Sequence, residues 1–136
     1  MIKLILFLSI TTSVTISGIA VGGTTQQNVS DPQYMRLAWK SIPQINADNS
    51  GQYEMVPIKI VSAKTQVVAG VMTVLNVLVG ESSCAKQSGM VSSSDCSYNN
   101  GGNRMLYEVK DWQKPWENFE EITATRIREV PINENI

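Results

Sequence analysis

The sequence contains no histidine, and this absence narrows the chemistry open to the chain. Serine and cysteine nucleophiles usually need a neighbouring imidazole as their base. Most zinc sites also use histidine, and a four-thiolate site needs more than the two cysteines present. Carboxylate pairs of the glycosidase kind remain open in principle, but the 12 acidic residues are spread along the chain. We therefore expect a protein that is not an enzyme and holds no metal or cofactor.

Concentrated positive charge is missing as well. The 11 basic residues are scattered, and the formal net charge is -1. A nucleic-acid partner would require a basic stripe, so we expect none. The remaining composition, 43% hydrophobic and 17% charged, is that of an ordinary globular protein, and 136 residues suffice for one domain.

The only strongly apolar run stands at the start of the chain, over residues 4–10. It follows a lysine and precedes small and polar residues, a layout typical of a secretory signal peptide. The alternative is a membrane anchor, but the run is too short to span a bilayer. We predict a signal peptide over residues 1–20, cleaved after Ala20 or alternatively after Ser17 or Gly18. The mature chain, residues 21–136, is then extracellular and has no membrane partner.

Secretion bears on two further features. Cys84 and Cys96 are expected to form a disulfide in an oxidising compartment, the alternative being two free thiols. Asn28, Val29 and Ser30 make an N-glycosylation acceptor pattern, which marks Asn28 as a candidate site. Such patterns are often unoccupied, so occupancy stays open.

The first regular element predicted is a helix from about Pro32 to Asn46. Ser30 or Asp31 can cap its start, and proline is favoured at the first helical position. Pro43 lies within it and is expected to kink or loosen the last turn. The residues ahead of the helix, 21–28, are small and polar, and we interpret them as a mobile arm. An apolar stripe at helical spacing supports the helix: Tyr34, Leu37, Ala38, Ile42 and Ile45.

Four later segments are rich in β-branched and aromatic residues and predict strands. They are residues 55–65, 67–79, 105–112 and 119–128. A helix followed by consecutive strands favours an antiparallel sheet, because hairpins need only short connections. The predicted class is α+β, with the helix across one sheet face. The polar stretch from Gly80 to Asn103 is predicted to be a long loop, and Trp39 and Trp112 are expected in the core.

The connection between the first two predicted strands is unusual, because it has the sequence Gln66-Val67-Val68-Ala69-Gly70. A hairpin tip normally carries Asn, Asp, Gly or Pro. Valines exposed at a tip are unfavourable unless a partner covers them. A local violation of this kind is expected at a functional site.

These five residues match the Gln-x-Val-x-Gly signature of the cystatin family. Two further elements occur in the family's order. Gly22-Gly23 precedes the helix, and Pro115-Trp116 lies between the last two predicted strands. The sequence therefore resembles the cystatin family over the whole mature chain, and its cysteines and secretory start are similar to those of the secreted, single-domain members.

The resemblance implies a cystatin-like fold, an antiparallel sheet of about four to five strands wrapped around one long α-helix. It also implies reversible, competitive inhibition of papain-like cysteine proteases of the cathepsin type. In such inhibitors an N-terminal arm and two hairpin loops form a wedge that enters the substrate cleft. The residues that would bind the protease are Val21, Gly22, Gly23, Gln66, Val67, Val68, Ala69, Gly70, Pro115 and Trp116; none of them is catalytic.

Two departures from the family matter. Some secreted members use a second site, Ser-Asn-Asp, against legumains, and Asn49 is the candidate here. Its flanking residues differ, so we expect that second activity to be weak or absent. The second disulfide that secreted members often have near the C-terminus is also missing, so that end is expected to fray.

Alternative functions remain at this point. The first is a non-inhibitory cystatin-fold protein with a binding or immunomodulatory role, although such relatives usually lose the hairpin motif or the tryptophan. A small enzyme and a secreted lipid or odorant carrier are the others, and a carrier would need an enclosed apolar cavity. We expect a monomer, with a domain-swapped dimer through the first hairpin as the alternative.

Overall fold

The computed structural model describes residues 23–86 and 95–136. The described elements follow the chain as β1 (Thr24–Gln26), α1 (Pro32–Asp48), β2 (Tyr53–Val67), β3 (Val71–Ala85), β4 (Arg104–Lys114), a 3-10 turn (Pro115–Glu117) and β5 (Phe119–Val130). The five strands form one antiparallel sheet in the order β1-β2-β3-β4-β5. This architecture confirms the predicted α+β class. The predicted signal peptide lies outside the described residues, and no described helix is long and apolar enough to cross a membrane.

Helix α1 begins where the sequence predicts but ends later. Asp31 caps it, since its Oδ1 accepts a hydrogen bond from the Gln33 amide at 3.0 Å, and this bond lowers the pKa of Asp31. The helix continues past Pro43 to Asp48, two residues beyond the predicted end at Asn46. Pro43 is exposed, so water can reach the carbonyl that its ring leaves without an amide donor.

The main core lies between α1 and the inner face of the sheet. A polar contact ties the far end of the helix to this face, because the Tyr107 hydroxyl donates to Asp48 Oδ2 at 2.9 Å. Burial and that bond raise the pKa of Tyr107 to about 12. Trp39 is partly buried and packs against the core, as expected. The buried members are Tyr34, Leu37, Ala38, Ile42, Ile45, Met55, Ile60, Ala63, Leu75, Val77, Val79, Met105, Tyr107 and Val109.

A second, smaller apolar cluster lies on the outer face of the sheet and holds the C-terminal tail. Ile136 packs against Leu78, Leu106 and Val130. The Ile136 carbonyl also accepts from Lys59 Nζ at 2.7 Å. The expectation that this end frays for want of a second disulfide is therefore corrected, because apolar packing and side-chain bonds hold it.

The predicted loop between the second and third long strands begins later than expected. Strand β3 runs on past Gly80 to Ala85, and Cys84 forms a disulfide with Cys96 across a Cα–Cα distance of 6.0 Å. The ring of Tyr98 covers Gly80 so closely that a Cβ there would lie 2.4 Å from it. Gly80 therefore lets the segment that contains Tyr98 pack closely against β3, and it does not end the strand. Residues 87–94, the middle of the predicted loop, lie outside the described part.

Candidate functional site

The first hairpin has its turn at residues 68–70. Strand β2 ends at Val67, which pairs with Val71 at the start of β3, and the Val68 amide donates to the Gly70 carbonyl at 3.1 Å. Strand β3 thus starts four residues later than the predicted strand from Val67, because the turn uses residues that look β-forming. The tip consists of valine and alanine, as the unusual sequence indicates.

Gly70 has two independent reasons to be glycine. Its φ is +108°, a region that side chains rarely adopt. A Cβ at this position would lie 2.2 Å from the Gln113 carbonyl oxygen on strand β4. The first hairpin therefore packs directly against the strand that leads into the second hairpin.

The two valines of the signature differ in exposure. Val67 is 65% exposed, whereas Val68, within the turn, is less exposed and partly buried. Val71, opposite Val67, is 44% exposed. The apolar surface expected at this tip is therefore carried chiefly by Val67 and Val71, and Val71 is a residue that the family pattern does not mark.

The second hairpin joins β4 to β5 through Pro115–Glu117 and Asn118. Proline suits the first position of the 3-10 turn, and Asn118 closes it with φ +52°, a left-handed value that asparagine tolerates. The Asn118 amide donates to the Pro115 carbonyl at 3.1 Å. Trp116 is left 67% exposed at the tip. The local geometry turns this large ring to solvent rather than into the core.

The residues interpreted as a mobile arm include a short strand. Thr24 in β1 pairs with Gln66 in β2, and the Gln27 side chain donates to Thr65 Oγ1 at 2.9 Å. The arm is therefore held from Thr24 onward, because the edge of β2 offers unpaired backbone groups. Gly23 is exposed immediately before this strand, while Val21 and Gly22 lie outside the described residues.

Strand register brings these three segments to the same end of the sheet, where both hairpins turn. Thr24 is paired beside the base of the first hairpin, and Val71 in turn pairs with Gln113 at the base of the second. We call this the tip edge; it comprises residues 23–24, 66–71 and 115–118. Every predicted protease-binding residue within the described part of the chain lies on it.

Trp112 occupies a place that the sequence analysis missed. It was expected in the core, but Met105, Tyr107 and Val109 face the helix, and the alternation of strand residues puts Trp112 on the other face. Its Nε1 donates to the Ala69 carbonyl in the first hairpin at 3.1 Å. The alternation of residues along this strand indicates the face on which Trp112 lies. The expectation of a core position considered only the hydrophobicity of tryptophan.

The same indole contacts the second hairpin. Its ring meets Phe119 edge to face with centroids 5.3 Å apart. The Lys114 ammonium lies 4.3 Å from the Trp112 centroid and 5.0 Å from that of Phe119. Lys114 also forms an ion pair with Glu117 at 3.8 Å.

A groove of about 670 Å³ lies between the start of α1 and the inner face of the sheet. Buried Asp111 lines it; its Oδ2 accepts from Gln113 Nε2 at 2.7 Å, and its Oδ1 has no partner among the described residues. Burial raises the pKa of this carboxyl. Arg36 and Lys40 line the same groove. Such a lining does not suit an apolar cargo, so the groove does not favour a lipid carrier.

Two other candidate residues lie away from the tip edge. Asn49 caps the C-terminus of α1, and its carbonyl accepts from Lys86 Nζ at the opposite end of the sheet. Its Oδ1 accepts from the Gly51 amide at 3.3 Å, which orients the side chain inward on its own turn. Asn28 is exposed in the loop before α1, where its Oδ1 accepts from the Ser30 amide at 3.0 Å.

Comparison with known proteins agrees with this geometry. The cystatin domain pattern matches residues 22–126. The chain is 49% identical over 119 residues to Cystatin cpi-1 of Caenorhabditis elegans, which covers 85% of this chain and 84% of that protein. It is 29% identical over 113 residues to Onchocystatin of Onchocerca volvulus, covering 82% and 70% respectively. The crystal structure of Al-CPI superposes with a TM-score of 0.66 at 38% identity, over 78% of this chain and 100% of that one.

Over residues 23–86 and 95–136 the fold is thus α+β, with one helix packed on a five-stranded antiparallel sheet. The chain belongs to the cystatin family. Membership supports the inhibition of cysteine proteases, rather than an enzymatic activity, as its function.

Proposed function

We propose that the mature chain inhibits papain-like cysteine proteases reversibly and competitively, by inserting its tip edge into the substrate cleft. The observation that carries the proposal is the alignment of three segments at one end of the sheet, with the side chains of Val67 and Trp116 largely exposed to solvent. Val67 is 65% and Trp116 is 67% exposed, so both offer apolar area that a partner can cover. Both would lose contact with water inside a cleft.

The roles proposed for the segments follow from their residue types. Trp116 is a rigid aromatic side chain of the kind that often contributes most of the binding energy at an interface. The first hairpin, residues 66–70, would lie over the catalytic residues with Val67 in contact. Gly22 and Gly23 would let the N-terminal segment approach the enzyme surface closely, because neither has a Cβ, and Val21 would fill a non-primed substrate pocket. No peptide bond of the inhibitor needs to enter attack geometry, so binding is not followed by cleavage.

Titration of active papain with residues 21–136 in the disulfide-bonded form tests the proposal. The wild-type protein should inhibit with tight, competitive kinetics. The double variant Val67→Asp/Trp116→Ala should raise the inhibition constant at least about a hundredfold, because it buries a charge and removes the aromatic contact. Val67 is substituted rather than Val68 because it is the more exposed of the two.

Ile127→Asp is the matched control. Ile127 is also an exposed aliphatic residue on a strand, at 47%, but it lies toward the other end of β5. It should change the inhibition constant by less than about twofold. A folded wild-type protein that does not inhibit papain would sink the proposal and favour the non-inhibitory binding or immunomodulatory alternative.

We propose that the protein is secreted, with residues 1–20 as the signal peptide and residues 21–136 as the mature domain. The cystatin-domain match from residue 22 and the Cys84–Cys96 disulfide support this. Asn28 is exposed and is proposed as the acceptor for an N-linked glycan. The working state is proposed to be a monomer.

Inhibition of legumains through Asn49 stays a prediction of a weak or absent activity. Its carbonyl is bound by Lys86, and its side chain bonds within its own turn. A residue held in this way is less free to present itself to a protease than an asparagine at an open tip.

A further inference from the structure

We propose that Trp112 is a positioning residue that holds the two hairpins of the tip edge in fixed relation, with Lys114 and Phe119 completing the contact. We call these three side chains the cross-hairpin cluster. The consequence for inhibition rests on the proposed function. The positioning itself is a property of the free molecule and can be tested without a protease.

The two tips need such a contact because the strand ladder stops short of them. The last pair between the hairpins joins Val71 to Gln113. The turns at 68–70 and 115–118 project beyond this pair, so backbone pairing alone does not connect them. Each tip could then tilt by itself, as loops outside regular pairing commonly do.

Trp112 spans the gap with a different kind of contact to each side. Its indole N–H donates to the Ala69 carbonyl at 3.1 Å, within the first turn. Its ring meets Phe119, the first residue after the second turn, at a centroid distance of 5.3 Å. A single rigid side chain therefore contacts both hairpins.

Lys114 strengthens the arrangement from the second hairpin. Its ammonium lies 4.3 Å from the Trp112 centroid and 5.0 Å from the Phe119 centroid, so it sits against both rings. Its ion pair with Glu117 at 3.8 Å ties the same group to the second turn. The hydrocarbon stem of Lys114 also lies 3.1 Å from the position of a Cβ on Gly70. The cluster is thus continuous from one tip to the other.

Fixed tips would matter because a cleft must receive both at once. When the segments are already aligned, less conformational entropy is lost on binding. Loss of Trp112 should therefore weaken binding even though its side chain need not touch the enzyme. The effect should also depend on the second hairpin, since relative position matters only while both tips contribute.

The test uses Trp112→Phe, which keeps an aromatic ring but removes the donor, and Trp112→Ala, which removes both contacts. Lys110→Ala is the control, since Lys110 is exposed on the same strand and face and pairs only locally with Glu108 at 3.6 Å. We expect the papain inhibition constant to rise about fivefold for Trp112→Phe and about thirtyfold for Trp112→Ala. Lys110→Ala should leave it unchanged.

A double-mutant cycle separates positioning from general destabilisation. In a Trp116→Ala background, Trp112→Ala should raise the inhibition constant by less than about threefold, because one tip is already disengaged. An equal loss in both backgrounds would overturn the proposal. Thermal unfolding of each variant gives its folded fraction, and the inhibition constants are calculated from the concentration of folded protein.

Amide hydrogen exchange of the free protein provides the readout that needs no enzyme. The Val68 amide, bonded to the Gly70 carbonyl in the first turn, should exchange about tenfold faster in both Trp112 variants than in the wild type and in Lys110→Ala. Unchanged exchange at Val68 would overturn the positioning role. If the wild-type protein failed to inhibit papain, the proposed function would fall, while this comparison would still decide the role of Trp112.

Discussion

At the scale of single residues, Gly70 is required because it has no side chain. Its φ of +108° and the Gln113 carbonyl 2.2 Å from a would-be Cβ act independently. The first is a local strain that any larger residue would meet. The second is a clash between hairpins that are far apart in sequence. The family signature therefore marks both a turn conformation and a packing contact.

Gly70→Ala should lower the free energy of unfolding by about 2–4 kcal/mol, because strain and clash add. Gly101→Ala isolates the strain, since Gly101 has φ +91° but no atom within 4 Å of a Cβ. It should lose only about 1 kcal/mol. Equilibrium urea unfolding measures both. Equal losses at the two glycines would mean that the contact with Gln113 contributes nothing.

At the scale of elements, α1 tolerates a proline in its interior. The helix runs unbroken from Pro32 to Asp48 with Pro43 on the exposed side. Its apolar stripe is packed on the sheet, which supplies stability that the local sequence lacks. The missing backbone donor should nevertheless leave a measurable deficit.

Pro43→Ala is therefore expected to raise the free energy of unfolding by about 1–3 kcal/mol, since alanine restores the amide donor and the helix propensity. Arg36→Ala, at another exposed position of α1, controls for the gain of an alanine and should change stability by less than about 0.5 kcal/mol. Urea unfolding again provides the measurement. A Pro43→Ala variant less stable than the wild type would show that the proline is required where it stands.

The elements that the sequence predicts are those with strong local signals. The stripe from Tyr34 to Ile45 indicates the helix, and alternation from Met105 to Val109 indicates a central strand. Strand β1 was missed because three polar residues have no strand pattern of their own and pair only when β2 presents its edge. The start of β3 was placed too early, since Val68 and Ala69 form a turn despite their composition.

Only part of the candidate site could likewise be predicted from the sequence. Its two tips follow from short motifs around Gly70 and Trp116, whose residue types constrain a turn locally. Contacts between the tips depend on register and on which face Trp112 occupies, and these become fixed only when strands pair. The difference in exposure between Val67 and Val68 has the same origin.

At the scale of the whole molecule, stability and the proposed function use different ends of the sheet. The tip edge presents exposed apolar side chains. The opposite end carries the helix C-terminus, where Asn49 contacts Lys86, and the disulfide between Cys84 and Cys96. The C-terminal tail packs on the outer face through Ile136. The contacts that hold the fold together at the opposite end are therefore separate from the residues proposed to bind the protease.

Competition at the cleft of papain tests the central claim most directly. Binding of the mature protein to papain is measured by titration while a reversible peptide aldehyde occupies the substrate cleft at increasing concentration. If the tip edge enters the cleft, the apparent dissociation constant rises in proportion to the aldehyde concentration, and the two are never bound together. An affinity that does not change with the aldehyde would place the protein elsewhere on the enzyme and contradict the account.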